Sequence, residues 1–282
     1  MVSIIIPVFN GEKYIDRCIE KLLNLEDFKE NQIIFINDCS TDKTAEILES
    51  YKGLGIKVIS NKQNFGPSYS RNRGLECAVG KYVTFLDVDD FYEKDRILYL
   101  SKYMDKNNCV ICSDCNLNVN ATGKVRSLYP SFVNPFFLKK KLNLTKFVSI
   151  DCGPLKPMIR LDFLRINNIF YNEKIKYSED FDFYFRIVKL CGHFCLLNRH
   201  SNIRLIHNDS LSHNREELYI NSLINTLSYI QYEETCNVAL HKRAQQLERL
   251  LFNFKTKRKN TIMYKDIFKL LTLLSYKVGF IS

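Results

Sequence analysis

Long apolar runs, an export leader and a glycine-rich phosphate loop are all missing from this 282-residue sequence. No stretch approaches the ~18 consecutive apolar residues that a membrane-spanning helix needs. The N-terminus, MVSIIIPVFNGE, has no basic leader, and its apolar run is too short for an export signal, so a reducing cytoplasm is the expected compartment. Ten cysteines are present, but scattered along a chain of this length they do not make a secreted disulfide framework. Neither GxGxxG nor GxxxxGK(S/T) occurs, so any nucleotide must be held by another device. Disorder is excluded as well, since 46% of residues are hydrophobic and 13% aromatic.

What is present begins with charge. The formal net charge is +10, and the segment Lys242–Ser282 carries ten Lys and Arg against Glu248 and Asp266. The body of the chain is therefore almost neutral and the tail basic, which argues against a nucleic-acid-binding body.

Four short β-branched runs alternate with helical patterns. VSIIIPV (2–8) is a continuous apolar run expected of a parallel strand buried on both faces. QIIFIND (32–38), IKVISN (56–61) and KYVTFLD (81–87) follow, separated by three segments with apolar residues at helical spacing. Ser40-Thr41-Asp42 offers capping side chains, and Pro67 suits a first helical turn. This alternation predicts an α/β fold with a doubly wound, mostly parallel sheet. Ligands bind such sheets beyond the carboxyl ends of the strands. Those ends are polar or acidic here: Pro7 to Asn10, Asn37-Asp38, Asn61 to Gly66, and Asp87 to Asp90. Further on, residues 108–120 read as a strand, DCGPLKPMIRLDFL (151–164) turns into a helix, and residues 177–192 read as a helix that begins in acids. From residue 214 onward the pattern is mostly helical.

FLDVDD (85–90) places three carboxylates within four positions at a strand end. Like charges that close raise one another's pKa unless a cation or strong donors stand beside them. Hard carboxylate oxygens in an Asp-x-Asp hold Mg²⁺ or Mn²⁺, which in turn binds a diphosphate. The plainer reading, a solvated acidic turn, is less favoured because the cluster directly follows a buried strand. Cys109, Cys112 and Cys115 have CxxCxxC spacing, but they fall in a segment patterned as a strand. Residues three apart on a strand face opposite sides, so the three are expected to be small buried residues rather than a metal set.

SIIIPVFNGEKYI, IIFINDCSTDKT, NFGPSYSRNRGL, GKYVTFLDVDD, SEDFDFYFR and RLIHNDSLS occur in that order. In these motifs the chain resembles the inverting glycosyltransferases of family 2, whose Rossmann-like fold is of the GT-A type, over roughly residues 2 to 215. The resemblance implies a catalytic domain at 1–215, with a donor half (1–100) and an acceptor half (101–215), and a basic helical extension at 216–282. It implies that Pro7 and Phe9 pack the nucleotide base, that Asp38 hydrogen-bonds it, and that Asn64 and Arg71 lie near the diphosphate. Family members often have Asp-Asp where this chain has Asn37-Asp38. Asp87 is expected at the ribose or metal, Asp89 on the metal, and His207 at the metal or diphosphate. Glu179-Asp180 matches the late acidic pair, with Asp180 as the general base; Asp90 is expected to be structural, and Asp151 to Lys156 to line the acceptor pocket.

The implied activity is metal-dependent (Mn²⁺ or Mg²⁺) transfer of a sugar, with inversion, from a nucleotide-diphosphate sugar, with UDP as the expected carrier. The implied acceptor is a hydroxyl of a glycan or lipid-linked acceptor in bacterial surface polysaccharide or lipooligosaccharide synthesis. A sugar nucleotidyltransferase and a non-catalytic nucleotide-sugar-binding scaffold are the alternatives. The former is disfavoured because PVFNGEKY is not a glycine-rich basic loop. The basic tail has apolar residues near one helical face, which suits the anionic inner face of a cell membrane or, equally, packing on the domain or in a homodimer.

Overall fold

The computed structural model describes residues 1–206 apart from 121, 128–138, 151–154 and 176–177, together with Gln245. His207, the first four residues of the expected acceptor segment and, apart from Gln245, the basic extension at 216–282 lie outside the described residues.

The first half follows the apolar runs closely. Strand β1 (Val2–Val8) is flanked by β2 (Gln32–Asn37) and β4 (Tyr82–Phe85), and β2 by β3 (Lys57–Ser60), all parallel. Helices α1 (Ile15–Leu23), α2 (Thr44–Ser50) and α3 (Pro67–Cys77) connect them. Helix α2 begins two residues after Asp42, whose Oδ1 accepts from the Thr44 N–H at 3.0 Å. Alternate residues of β1 supply the two cores: Ile5 joins Ile34, Phe85 and Leu75 on one face, while Ile4 and Ile6 join Phe35, Ile19 and Leu48 on the other. A Cβ at Gly74 would stand 2.3 Å from Ile5 Cγ2, so glycine is what lets α3 lie this close to β1.

The second half extends the same sheet in mixed directions. The strand order is β3-β2-β1-β4-β9-β6-β10-β5. Here β5 is Phe91–Tyr92, β6 Ile111–Asn120, β9 Met158–Arg160 and β10 Phe194–Ile206. Strand β9 is antiparallel to both β4 and β6, β10 is parallel to β6, and β5 runs antiparallel on β10. Short strands β7 (Val125–Ser127) and β8 (Lys139–Leu142) pair with β6 and β10. The remaining helices are α4 (Arg96–Asn107), α5 (Leu144–Ile150), α6 (Leu161–Ile166) and α7 (Glu179–Cys191).

Three features differ from the sequence expectation. The segment expected to turn directly into a helix first forms β9, and the helix starts only at Leu161. Helix α4 and the long β10 were not apparent in the pattern. Of the three spaced cysteines, Cys112 and Cys115 do face opposite cores, but Cys109 shares the core of Cys112 because it precedes β6 instead of lying in it.

Candidate active site

The carboxyl edge of the parallel strands gathers the acids from distant parts of the chain. Asp87 follows β4 by two residues, and Glu179 and Asp180 open α7, where the helix N-terminus favours negative charge. Arg71, on α3, lies between them. Its Nη1 donates to Glu179 Oε1 at 2.8 Å and stands 3.6 Å from Asp180 Oδ1, while Nη2 reaches Asp87 Oδ1 at 3.3 Å. A second cation completes the cluster: Lys156 Nζ is 2.9 Å from Asp87 Oδ2 and 3.4 Å from Asp180 Oδ2. Both cationic side chains are almost fully buried, whereas Asp87 keeps 34% of its side-chain surface exposed. The positive charge demanded by the acidic run is therefore supplied in part by the protein itself.

Electrostatics follow from this geometry. Burial works against the charge of Asp87, but Lys156 and then Arg71 outweigh it and hold the carboxyl well below its usual range. Burial likewise disfavours the Lys156 ammonium, and Asp180 and Asp87 overcome it and hold the lysine charged. Glu179 is shifted upward by burial and by the charge of Asp180, with Arg71 opposing. Asp90 behaves differently from its neighbours. It is buried, it accepts from the Leu205 N–H at 3.0 Å, and burial followed by the charge of Asp89 pushes its pKa up to about 8. Arg204 Nε, at 3.8 Å, is beyond hydrogen-bond range and offsets burial only in part.

Tyr171 orients Asp180. Its hydroxyl donates to Asp180 Oδ1 at 3.0 Å, and its ring stacks on Phe183 with centroids 4.0 Å apart. Asn72 fixes Tyr171 in turn: Asn72 Oδ1 accepts from the Tyr171 N–H at 2.7 Å, and Nδ2 donates to the Tyr171 carbonyl at 3.0 Å. Ser178, just before the acidic pair, has φ 62°, a left-handed conformation that costs a non-glycine residue energy. Asn10 and Cys39, on the loops after β1 and β2, share this conformation. Strain thus recurs around this edge.

Asp38 lies on the adjoining loop. Its Oδ1 accepts from Asn61 Nδ2 at 2.6 Å and the Phe65 N–H at 3.1 Å, and Oδ2 accepts from the Gly66 N–H at 2.7 Å. The carboxylate thereby shapes the loop that leads into α3, and Oδ2, with a single donor, still has capacity for another. Pro7 is half-buried in β1, Phe9 is 49% exposed after it, and Asn64 is exposed in the loop. These three do not join the cation and carboxylate cluster but border the same edge.

Of the residues singled out from sequence, the structure thus brings Arg71, Asp87, Glu179 and Asp180 into one network, with Asp89 and Asp90 immediately following. The sequence placed Lys156 only within the expected acceptor-lining segment 151–156, with no single role, and did not point to Tyr171 or Asn72. The one signal for Lys156 was a lysine inside the apolar run PLKPM; nothing local distinguished Tyr171. The donor chemistry of Asp87 and Asp89 fits a hard divalent cation, because Mg²⁺ is commonly bound through one or two carboxylates while diphosphate oxygens and water fill its other positions. Arg71 adds a buried Nε–H without a hydrogen-bond partner among the described residues.

Comparison with known proteins places these observations in context. The model of the family described as Glycosyl transferase family 2 matches residues 3–205. A Staphylococcus aureus (strain MW2) relative, poly(ribitol-phosphate) beta-N-acetylglucosaminyltransferase TarS, is 30% identical over 182 residues, covering 63% of this chain and 30% of that protein. The chain thus spans under a third of the length of that relative. The crystal structure of S. aureus TarS 1-349 in complex with UDP-GlcNAc superposes with a TM-score of 0.69 at 21% identity, covering 94% of this chain and 77% of that one. The Pyrobaculum calidifontis mannosyltransferase PcManGT, in complex with GDP-Man and Mn²⁺, gives a TM-score of 0.64 at 12% identity, covering 99% and 79%.

Proposed function

Because this chain belongs to glycosyl transferase family 2 and has a GT-A type fold, we propose that it transfers a sugar, with inversion, from a UDP-sugar to a hydroxyl of a glycan or lipid-linked acceptor. The observation that carries the proposal is the convergence of Asp87, Glu179 and Asp180 with Arg71 and Lys156 at the carboxyl edge of the sheet. A UDP carrier is favoured by the fold neighbour whose crystals hold UDP-GlcNAc.

Each residue then takes a role that its position supports. Phe9 offers an exposed ring at the base end, and Asp38 offers the remaining lone pair of Oδ2 to the base. Arg71 and Lys156 hold the diphosphate by charge, and the arginine fork suits phosphate oxygens. Mg²⁺ or Mn²⁺ at Asp89 and Asp87 would supply charge neutralisation for the departing diphosphate. Tyr171 and Arg71 engage Asp180 Oδ1, and Oδ2, met only by the longer Lys156 contact at 3.4 Å, is the oxygen presented to the acceptor hydroxyl. Asp180 takes the hydroxyl proton as the oxygen attacks the anomeric carbon from the face opposite the diphosphate. A single displacement inverts the centre and needs no second carboxylate at the sugar, unlike the paired acids of hydrolases.

Among the described residues no helix is long and apolar enough to cross a membrane. The basic segment Lys242–Ser282 is proposed, on its sequence alone, to dock the enzyme at an anionic inner-membrane surface where a lipid-linked acceptor resides.

The test combines donor binding with turnover. Asp180→Asn should retain UDP-sugar binding in a thermal-shift assay while transfer falls by ~10²–10⁴-fold. Unchanged transfer rejects the base assignment. Failure of every nucleotide sugar to stabilise the protein, with or without Mn²⁺, rejects the whole reading.

A further inference from the structure

The opposite, amino edge of the sheet carries a second cluster that the transfer reaction does not use. Cys109 follows the left-handed Asn108 at the end of α4, and Cys195 is the second residue of β10. Their sulfurs stand 2.9 Å apart, and neither residue is exposed. His193 precedes Cys195 by two residues, the spacing that puts two side chains on one face of an extended segment. One ligand atom from each of Cys109, His193 and Cys195 lies within 4.8 Å of the others. Both thiols are enclosed, and the half-exposed imidazole gives the cluster its opening to water.

We propose that Cys109, His193 and Cys195 form a site for a zinc-class ion, with water as the fourth ligand. Two sulfurs and an imidazole nitrogen are a soft set, matched to Zn²⁺ and poorly matched to Mg²⁺ or Ca²⁺. With Zn–S bonds of about 2.3 Å, the sulfurs would part by roughly 1 Å from their present contact. That movement is small for side chains on an inter-strand boundary. Lys141, opposite Cys195 on β8, is exposed, so its ammonium is hydrated instead of filling the site. Cys112 pairs in register with Cys195 but is not among the three converging ligands. The bound ion ties the entry of β6 to that of β10, and its role is to hold the acceptor half of the sheet together. The site stands apart from the carboxylates at the other edge, so it holds or fails independently of the glycosyl-transfer reading.

The experiment uses the full chain, reduced and stripped with chelator, then titrated with Co²⁺. The expected result is thiolate-to-cobalt charge-transfer absorption saturating at a single equivalent, displaced by Zn²⁺, with a rise in Tm on Zn²⁺ addition. Carboxylate sites give no such absorption. Cys109→Ser and Cys195→Ser should abolish the band, and His193→Ala should weaken cobalt binding. The half-exposed His193 position keeps the test available if a thiol variant fails to fold. Transfer by His193→Ala with saturating Mn²⁺ should match wild type at permissive temperature. Absence of the band in the reduced wild-type chain overturns the proposal, as does its persistence in both cysteine variants. Recovery of a Cys109–Cys195 disulfide with no metal uptake after reduction also overturns it.

Discussion

Arg96 and Arg71 are both buried guanidiniums that meet carboxylates, but their surroundings are balanced in opposite ways. Arg96 pairs with Asp114 through Nε at 3.0 Å and Nη2 at 2.9 Å, and both side chains are wholly enclosed. The other Asp114 oxygen takes the Ser201 N–H at 2.9 Å and the Ser201 hydroxyl. The Tyr92 ring lies 4.2 Å from the Arg96 guanidinium. That cluster contains a single cation and a single anion and is closed to solvent. Around Arg71 three carboxylates share two cations, and Asp87 opens to the cleft. A closed, neutral pair serves the fold; an open cluster with surplus acid is poised to accept charge from outside. Burial alone would not have distinguished the two arginines.

The comparison is broken most severely by Arg96→Met. Removing one partner of an enclosed pair leaves Asp114 uncompensated, and stability should fall by about 3–5 kcal/mol in urea unfolding. Lys156→Met applies the same change of chemistry to the open cluster, and there the loss should appear in turnover. Transfer is expected to drop by ~10²–10³-fold, as on removing a preorganised charge donor, while Tm changes little because Asp87 stays solvated from the cleft. A stability loss at Lys156 equal to that at Arg96 would erase the distinction.

Tyr171→Phe keeps the stack on Phe183 and removes only the hydroxyl bond to Asp180. A hydrogen bond to a charged group contributes about 1.5–3 kcal/mol, so kcat should fall by roughly ten- to a hundredfold with KM for the donor nearly unchanged. The pH profile of kcat should shift as well, since Tyr171 holds Asp180, the proposed base; an unshifted profile would mark a packing effect.

A pH-dependent effect concerns Asp90. Its folded pKa near 8 lies above the usual carboxyl value of about 4, so between those values the folded chain binds the proton more than the unfolded chain does. Stability of chelator-treated protein should therefore fall as pH rises from about 4 to about 8. Asp90→Asn should flatten that slope.

How much of this was legible in the sequence depended on whether a signal was local. Strands β1 to β4 announce themselves because burial on both faces demands unbroken apolar runs, and the carboxyl ends of those runs identify Asp38 and Asp87. Strand β10 hides because Asn198 to Asn202 interrupts its apolar pattern, and its pairing with β6 shifts register on both sides of His200. Strand β9 is three residues long, too short for any period. Helix α4 buries Ile97, Leu100 and Met104 on one face, a sparse stripe in a charged segment. In the site, Glu179-Asp180 was legible as a helix start with acids. Lys156 and Tyr171 gain their positions chiefly from residues far away in the chain, Asp87 for the first and Asn72 for the second. No window of sequence contains those relations.

One contact joins the two arginine clusters. Arg96 Nη2 donates to the Lys156 carbonyl at 2.6 Å, and Tyr92, beneath the same guanidinium, donates its hydroxyl to the Phe85 carbonyl at 2.7 Å. The enclosed pair thus grips the backbone at both Lys156 and the end of β4, two residues before Asp87. In the terms of a machinist it is the jig: the distance between ammonium and carboxylate is referenced to the core, not to the loops that surround the cleft. The loops on such a scaffold can vary without resetting the distance between that ammonium and carboxylate.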